Sequence, residues 1–140
     1  MAAVEFLDLG DEIREDPRGL SFFPFAGRLP DVRDLLRTFH LVSVNPGETR
    51  GNHLHPAFTE WLYVFHQPGV LIWEEDGEVK ERPLAGGRTL VRIPPGIPHA
   101  LKNPGPRVLY LLAWREAAGE APGGPETMAR PLGGGGPASG

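Results

Sequence analysis

Residues 47–60 read GETRGNHLHPAFTE, and residues 94–103 read PPGIPHALKN. His53-Leu54-His55 is the informative pair. In a strand, residues i and i+2 point to the same face, so both imidazoles can turn inward and grip one ion. Pro56 breaks that strand, and a turn after it can return the carboxylate of Glu60 to the same centre. His99 follows the proline-fixed turn of the second stretch and would bring a third imidazole from an opposite strand. Three neutral nitrogens and one carboxylate suit a divalent transition metal (Zn, Mn, Fe, Ni or Cu), with one or two positions left for water or substrate.

The surroundings of these stretches read as short strands. Residues 38–44, 60–65, 70–75, 78–83, 89–93, 99–103 and 108–114 are rich in β-formers and separated by glycine and proline turns. Asp76-Gly77 is the dipeptide of a type I′ hairpin turn, which needs positive φ at both central positions. Residues 20–25 read as an edge strand. Residues 31–37 (DVRDLLR) make two helical turns, with Asp31 as N-cap. Short strands without a long helix predict an all-β domain, an antiparallel sandwich or closed barrel that can hold a ligand in its mouth. Three segments follow: an N-terminal extension over 1–37, the barrel over 38–116, and a flexible Gly/Pro-rich tail over 117–140 with almost nothing to bury.

Composition excludes several classes. The 140 residues carry 19 Gly, 16 Pro, no Cys and a net charge of −4. Without cysteine there is no disulfide, iron–sulfur cluster, zinc finger or thiol nucleophile. The acidic balance gives a nucleic-acid partner no support. The longest wholly apolar run, 108–114, is far short of a membrane span, and the acidic N-terminus lacks the order of a signal peptide. The expectation is a cytoplasmic protein with a small-molecule substrate.

The two stretches together resemble the motifs of the cupin superfamily. The first cupin motif is G-x5-HxH-x3–4-E-x6-G, and Gly47, His53, His55 and Glu60 match it in order. The closing glycine position falls on Gln67, with Gly69 nearby, which implies a longer turn. The second motif is G-x5-PxG-x2-H-x3-N, matched from Pro94 through Gly96 and His99 to Asn103, while Gly87 stands one residue too far upstream. The resemblance implies a double-stranded β-helix (jelly roll), with His53, His55, Glu60 and His99 as metal ligands and a homodimer in which the N-terminal segment is exchanged at an exposed strand edge. Arg50-Gly51-Asn52-His53 is similar to the RGxH element of nucleotide-sugar cupins: the dTDP-4-dehydrorhamnose 3,5-epimerases, the dTDP-ketodeoxysugar 3,4-ketoisomerases and, closer still, the C-terminal cupin of capsular-polysaccharide assembling reductases. Asp16-Pro17-Arg18-Gly19 resembles the D-x-R-G that opens the isomerase members. Val108-Leu109-Tyr110 lies where the epimerases place a catalytic tyrosine.

That resemblance implies roles. His53 would be the base that removes a proton beside a keto group, Tyr110 the acid that returns it, and Arg50 and Arg18 the contacts to a diphosphate. His40, on the same strand face as Val42, would line the cavity and meet substrate. A ligated His53 cannot also be a free base, so either the chemistry is metal-assisted or the site is empty and His53 is the base. Glu60 favours the first. Three functions stay open: a metal-assisted sugar or nucleotide-sugar isomerase or epimerase, in a setting such as polysaccharide biosynthesis; an Fe or Cu oxygenase with the same ligands; and a non-catalytic metal- or ligand-binding module.

Overall fold

Asp76 and Gly77 have φ of 51° and 77°, so the type I′ turn read from the sequence forms, joining strands β7 (Gly69–Glu75) and β8 (Glu78–Leu84) in register. In the computed structural model, residues 2–118 and 124–132 are described. The remaining strands among the described residues are β1 (Glu5–Asp8), β2 (Arg14–Asp16), β3 (Gly19–Ser21), β4 (His40–Val44), β5 (Thr49–Leu54), β6 (Phe58–Phe65), β9 (Thr89–Ile93), β10 (His99–Lys102), β11 (Leu109–Ala117) and β12 (Met128–Ala129), with one α-helix, α1 (Val32–Thr38), and a 3-10 turn at Gly10–Glu12. Two five-stranded antiparallel sheets form, in the orders β1-β9-β6-β11-β4 and β12-β5-β10-β7-β8, beside a β2-β3 hairpin. This is the all-β jelly roll the sequence predicted. No helix among the described residues is long and apolar enough to cross a membrane.

The inner faces of the two sheets make one core, with Leu62, Val64, Leu71, Val91, Leu101 and Leu109 all 4% exposed or less. Each such side chain contributes about 1.5–3 kcal/mol relative to an exposed one. The outer face of the first sheet is covered as well, which is why β6 does not alternate between buried and exposed. Tyr63, Leu90 and Trp114 on that face pack under Leu9, Ile13, Phe22 and Phe25 from the N-terminal segment.

Three expectations change. Residues 20–25 do not form an edge strand: pairing stops at Ser21, and Phe22 and Phe25 serve as lids, with ring centroids 5.0 Å from Tyr63 and 4.9 Å from Trp114. Helix α1 has the expected cap, Asp31 accepting from the Asp34 amide at 3.0 Å, but it runs into Thr38 and delays the next strand to His40. The largest change concerns the tail. Met128 and Ala129 pair with Leu54 and His53, and Leu132 is 3% exposed, so residues 124–132 belong to the barrel. The rest of the expected tail, 119–123 and 133–140, lies outside the described residues. At the other end, β1 pairs with β9 of its own chain, covering an edge that the sequence reading left for exchange between copies.

β1 is anchored at its start by Glu75, whose Oε2 accepts from the Val4 amide at 3.0 Å and from Trp73 Nε1 at 2.7 Å. Partial burial pushes the Glu75 carboxyl up, but these hydrogen bonds and the Lys80 charge outweigh it and hold it below its ordinary value. A depressed carboxylate adds stability above its unfolded-state pKa and loses it as pH falls through the folded-state pKa. Glu75→Gln should therefore cost about 1 kcal/mol at pH 7, and its deficit against wild type should begin to narrow below the ordinary value of 4.5 and close once the pH is below the depressed folded-state pKa. Urea unfolding at several pH values checks this, and a deficit that is constant with pH contradicts it.

Candidate metal centre

β5 and β10 lie side by side with His53 opposite His99, and β6 reaches the same point from the other sheet with Glu60. His55 lies just past the end of β5, where its carbonyl accepts from the Gly96 amide at 2.9 Å. The Pro-Pro-Gly turn of the second stretch is thus fastened to the HxH of the first. Donor atoms of His53, His55, Glu60 and His99 all lie within 4.8 Å of one another, and all four residues are buried. The ring centroids of His53 are 4.8 Å from those of both His55 and His99.

Glu60 organises the cluster. His99 Nε2 is 3.0 Å from Oε1, His55 Nε2 is 3.0 Å from Oε2, and Arg115 Nε donates to Oε2 at 2.9 Å. Burial alone would raise the Glu60 carboxyl, but the imidazoles of His55 and His99 against its two oxygens hold it well below the ordinary carboxylate range. It stands as a carboxylate.

The donor set fits a cation. His99 turns Nδ1 to the Ile97 carbonyl at 2.9 Å and Nε2 to the carboxylate. Both partners only accept, whereas a neutral imidazole has a single N–H. The ring needs a second proton, or a metal ion between Nε2 and Glu60. His55 Nε2 is short of Oε2 but misaligned, so this buried nitrogen lacks a proper hydrogen bond. Ligand atoms about 2.1 Å from a common ion sit roughly 3–4 Å apart, which small inward movements of these side chains would reach.

His53, Glu60 and His99 form one wall of a cavity of about 40 Å³, which is also lined by His40, Arg50 and Arg115. That is room for an ion and a few waters. The amino-acid sequence matches the cupin domain family over residues 40–115. The chain belongs to the cupin family.

Solved structures agree on the cupin fold. CapF from Staphylococcus aureus, a capsular polysaccharide assembling protein, is 25% identical with a TM-score of 0.59, and the match covers 86% of this chain and 34% of that one. This cupin therefore spans about a third of the length of CapF. The 3,4-ketoisomerase QdtA from Thermoanaerobacterium thermosaccharolyticum, solved with TDP-4-keto-6-deoxyglucose, is 16% identical at a TM-score of 0.64, covering 89% of this chain and 86% of its own. RmlC from Legionella pneumophila, a dTDP-6-deoxy-D-glucose-3,5-epimerase solved with dTDP-4-keto-L-rhamnose, is 13% identical at 0.64, covering 97% and 82%. The last two show the fold alone. None of the curated proteins matches the chain.

The remaining predicted residues divide. His40 and Arg50 line the cavity. Arg50 reaches it only because β5 carries a bulge. The register shifts where Ala100 pairs with Gly51, and Asn52 has φ of 55°. Residues 50 and 53 are an odd number apart, so in a regular strand they would face opposite ways. Arg50 Nε then donates to the Ser43 carbonyl at 2.8 Å.

Two predicted residues fall away from the site. Arg18 sits on the β2-β3 turn with its side chain 90% exposed and paired to Asp16 at 2.6 Å. Tyr110 lies on the outer face of the first sheet, its ring stacked on Phe65 at 5.8 Å. The inward residues of β11 are Leu111, Ala113 and Arg115, and strand alternation puts Tyr110 on the other side. Neither Arg18 nor Tyr110 joins the His/Glu cluster or the cavity beside it.

Sequence reasoning missed Arg115, which stands opposite Glu60 in the β11–β6 register. Counting by twos from Leu111 would have placed it inside.

Gly51 makes the approach of β5 to β10 possible. It has φ of +103°, and an added Cβ would stand 2.8 Å from the His99 carbonyl oxygen and 3.0 Å from Ala100 Cα. Both are backbone atoms and cannot swing away. Gly51→Ala should destabilise the protein by about 2–4 kcal/mol through backbone strain and overpacking. Denaturant unfolding measures this, and a loss under about 0.5 kcal/mol, the range of an ordinary surface change, would show that the strands can part without penalty.

Proposed function

We propose that this cupin binds a divalent transition ion through His53, His55, Glu60 and His99 and acts on a sugar or nucleotide-sugar ketone by isomerisation or epimerisation. The observation that carries the reading is the buried quartet, three of whose members, His53, Glu60 and His99, line a cavity with His40 and Arg50. A bound ion would polarise a keto oxygen and make the neighbouring C–H more acidic.

His40 is the residue placed to move the proton. Its Nδ1 is 2.6 Å from the Thr38 carbonyl, which only accepts, so in the neutral ring Nδ1 carries the hydrogen and Nε2 keeps its lone pair. His40 Nε2 takes the proton from the hydroxyl-bearing carbon beside the ketone and returns it, on the same face, to the former carbonyl carbon, while the hydroxyl proton passes to the former carbonyl oxygen; in an epimerisation His40 only removes the proton, and solvent supplies the one that enters on the other face. No oxidant is consumed. With His53 serving as a ligand, this assignment removes the conflict between a ligand and a base on one ring. Arg50 keeps its terminal nitrogens for a phosphate oxygen, while only the reacting end of the substrate enters the cavity. The sugar nucleotides bound by QdtA and RmlC, and the capsular role in the description of CapF, support the substrate class. The working assembly is a homodimer.

Elemental analysis of untagged protein should find near-stoichiometric metal in wild type and none in a His53→Ala/His99→Ala double variant. Metal-loaded protein incubated with TDP-4-keto-6-deoxyglucose in D2O should place deuterium beside the keto carbon, read by NMR. His40→Gln should slow that exchange at least about 100-fold while retaining its metal. Absence of metal after reconstitution, or undiminished exchange in His40→Gln, would refute the corresponding half. Oxygen uptake on substrate addition would point to an oxygenase instead.

A further inference from the structure

We infer that residues 125–132 are a strap over the metal-ligand strand, and that Thr127 is a positioning residue for His55. The functional meaning of the strap rests on the metal reading above, while its contacts stand independently.

Thr127 Oγ1 lies 3.0 Å from His55 Nδ1, and the Glu126 carbonyl lies 3.3 Å from the same nitrogen. A carbonyl can only accept and a hydroxyl can accept, so the tautomer that satisfies both contacts carries its hydrogen on Nδ1 and directs the lone pair of a neutral ring to Nε2, the nitrogen that faces Glu60. An acceptor behind a ligand histidine fixes its tautomer and ring orientation and raises its basicity. The strap also holds the backbone that carries the ligands. Arg130 N donates to the Asn52 carbonyl at 2.7 Å, and Leu132 N donates to Asn52 Oδ1 at 3.1 Å. Asn52 is the fully buried, positive-φ residue of the bulge that sets His53 and Arg50 on one face. The Glu126 carboxylate reaches Arg37 at 3.2 Å and stands 4.0 Å from Arg115, which in turn holds Glu60. The segment therefore touches the centre from the His55 side and the Glu60 side together.

The strap is pinned chiefly by polar contacts and the single buried side chain of Leu132, so it can be loosened without unfolding the barrel. Metal affinity is accordingly tied to its seating.

The experiment titrates the full-length chain with Co2+ and Zn2+. Thr127→Val keeps the side-chain shape and removes the hydroxyl, Thr127→Ser restores it, and Thr127→Ala serves if the valine variant does not fold. The expected result is one ion per chain in wild type, affinity about 10–100-fold weaker in Thr127→Val, and near-wild-type affinity in Thr127→Ser. Equal affinity in Thr127→Val, at a site that His53→Ala abolishes, overturns the positioning role and leaves the metal reading standing. If wild type binds neither ion, the metal reading fails, and the strap is judged by ring-nitrogen NMR of the metal-free protein. Loss of the His55 Nδ1–H signal in Thr127→Val then supports the positioning role, and an unchanged spectrum overturns it.

Discussion

A carboxylate left 4% exposed must be met by donors or by positive charge, and the Arg115 guanidinium supplies both to Glu60. His99 and His55 approach it from β10 and the end of β5, and Arg115 from β11. Four chain segments, drawn from both sheets, are thereby tied to one buried charge. Withdrawing a single partner of such a group typically costs about 3–5 kcal/mol, because the charge stays behind uncompensated. The arrangement that defines the site is for that reason also a constraint on the fold. A cation among these four side chains would relieve the one awkward feature of the cluster, two imidazole nitrogens turned toward an anion that can only accept.

Gathering three histidines around that charge requires departures from ideal strand geometry. Gly51 lets β5 approach the backbone of β10 more closely than any side chain would permit. The bulge at Gly51-Asn52 changes the parity of β5, so that Arg50 and His53 face the cavity together. The Gly96 turn then ties the end of the HxH stretch to the start of β10. Bulges beside active sites re-aim side chains in this way, and the strained φ of Asn52 is held by the C-terminal segment that lies against it.

Rigidity and adjustability are distributed unevenly around the centre. The barrel core behind it is apolar and buried, and the outer face of the first sheet is covered around Tyr63, Leu90 and Trp114. The cavity mixes the polar side chains of His40, Arg50, His53, Glu60, His99 and Arg115 with apolar ones such as Leu62 and Leu111, and the outer edge of β5 is covered only by the short two-residue strand β12. Segments with few buried apolar contacts sit at the low end of local stability. Any movement that admits substrate or metal is expected there rather than in the sheets.

Much was legible in the sequence by itself. The spacing of His53 and His55, the proline turn before His99 and the turn before Glu60 marked the four residues as candidates for one cluster, because strand periodicity and turn chemistry are local properties, and the cupin resemblance joined them into one set. The Asp76-Gly77 hairpin and the Asp31 cap were legible for the same reason. What the tertiary structure alone decided was parity, register and the fate of the chain ends. The parity of β11 put Tyr110 outside and Arg115 inside, and its register set Arg115 opposite Glu60. The β2-β3 hairpin carried Arg18 into solvent. The C-terminal segment looked featureless because composition measures how much a segment can bury. Residues 124–132 are held instead by main-chain hydrogen bonds to a strand edge, by Leu132 and by Thr127 against a histidine ring, and such partners exist only once the barrel has brought that edge to them.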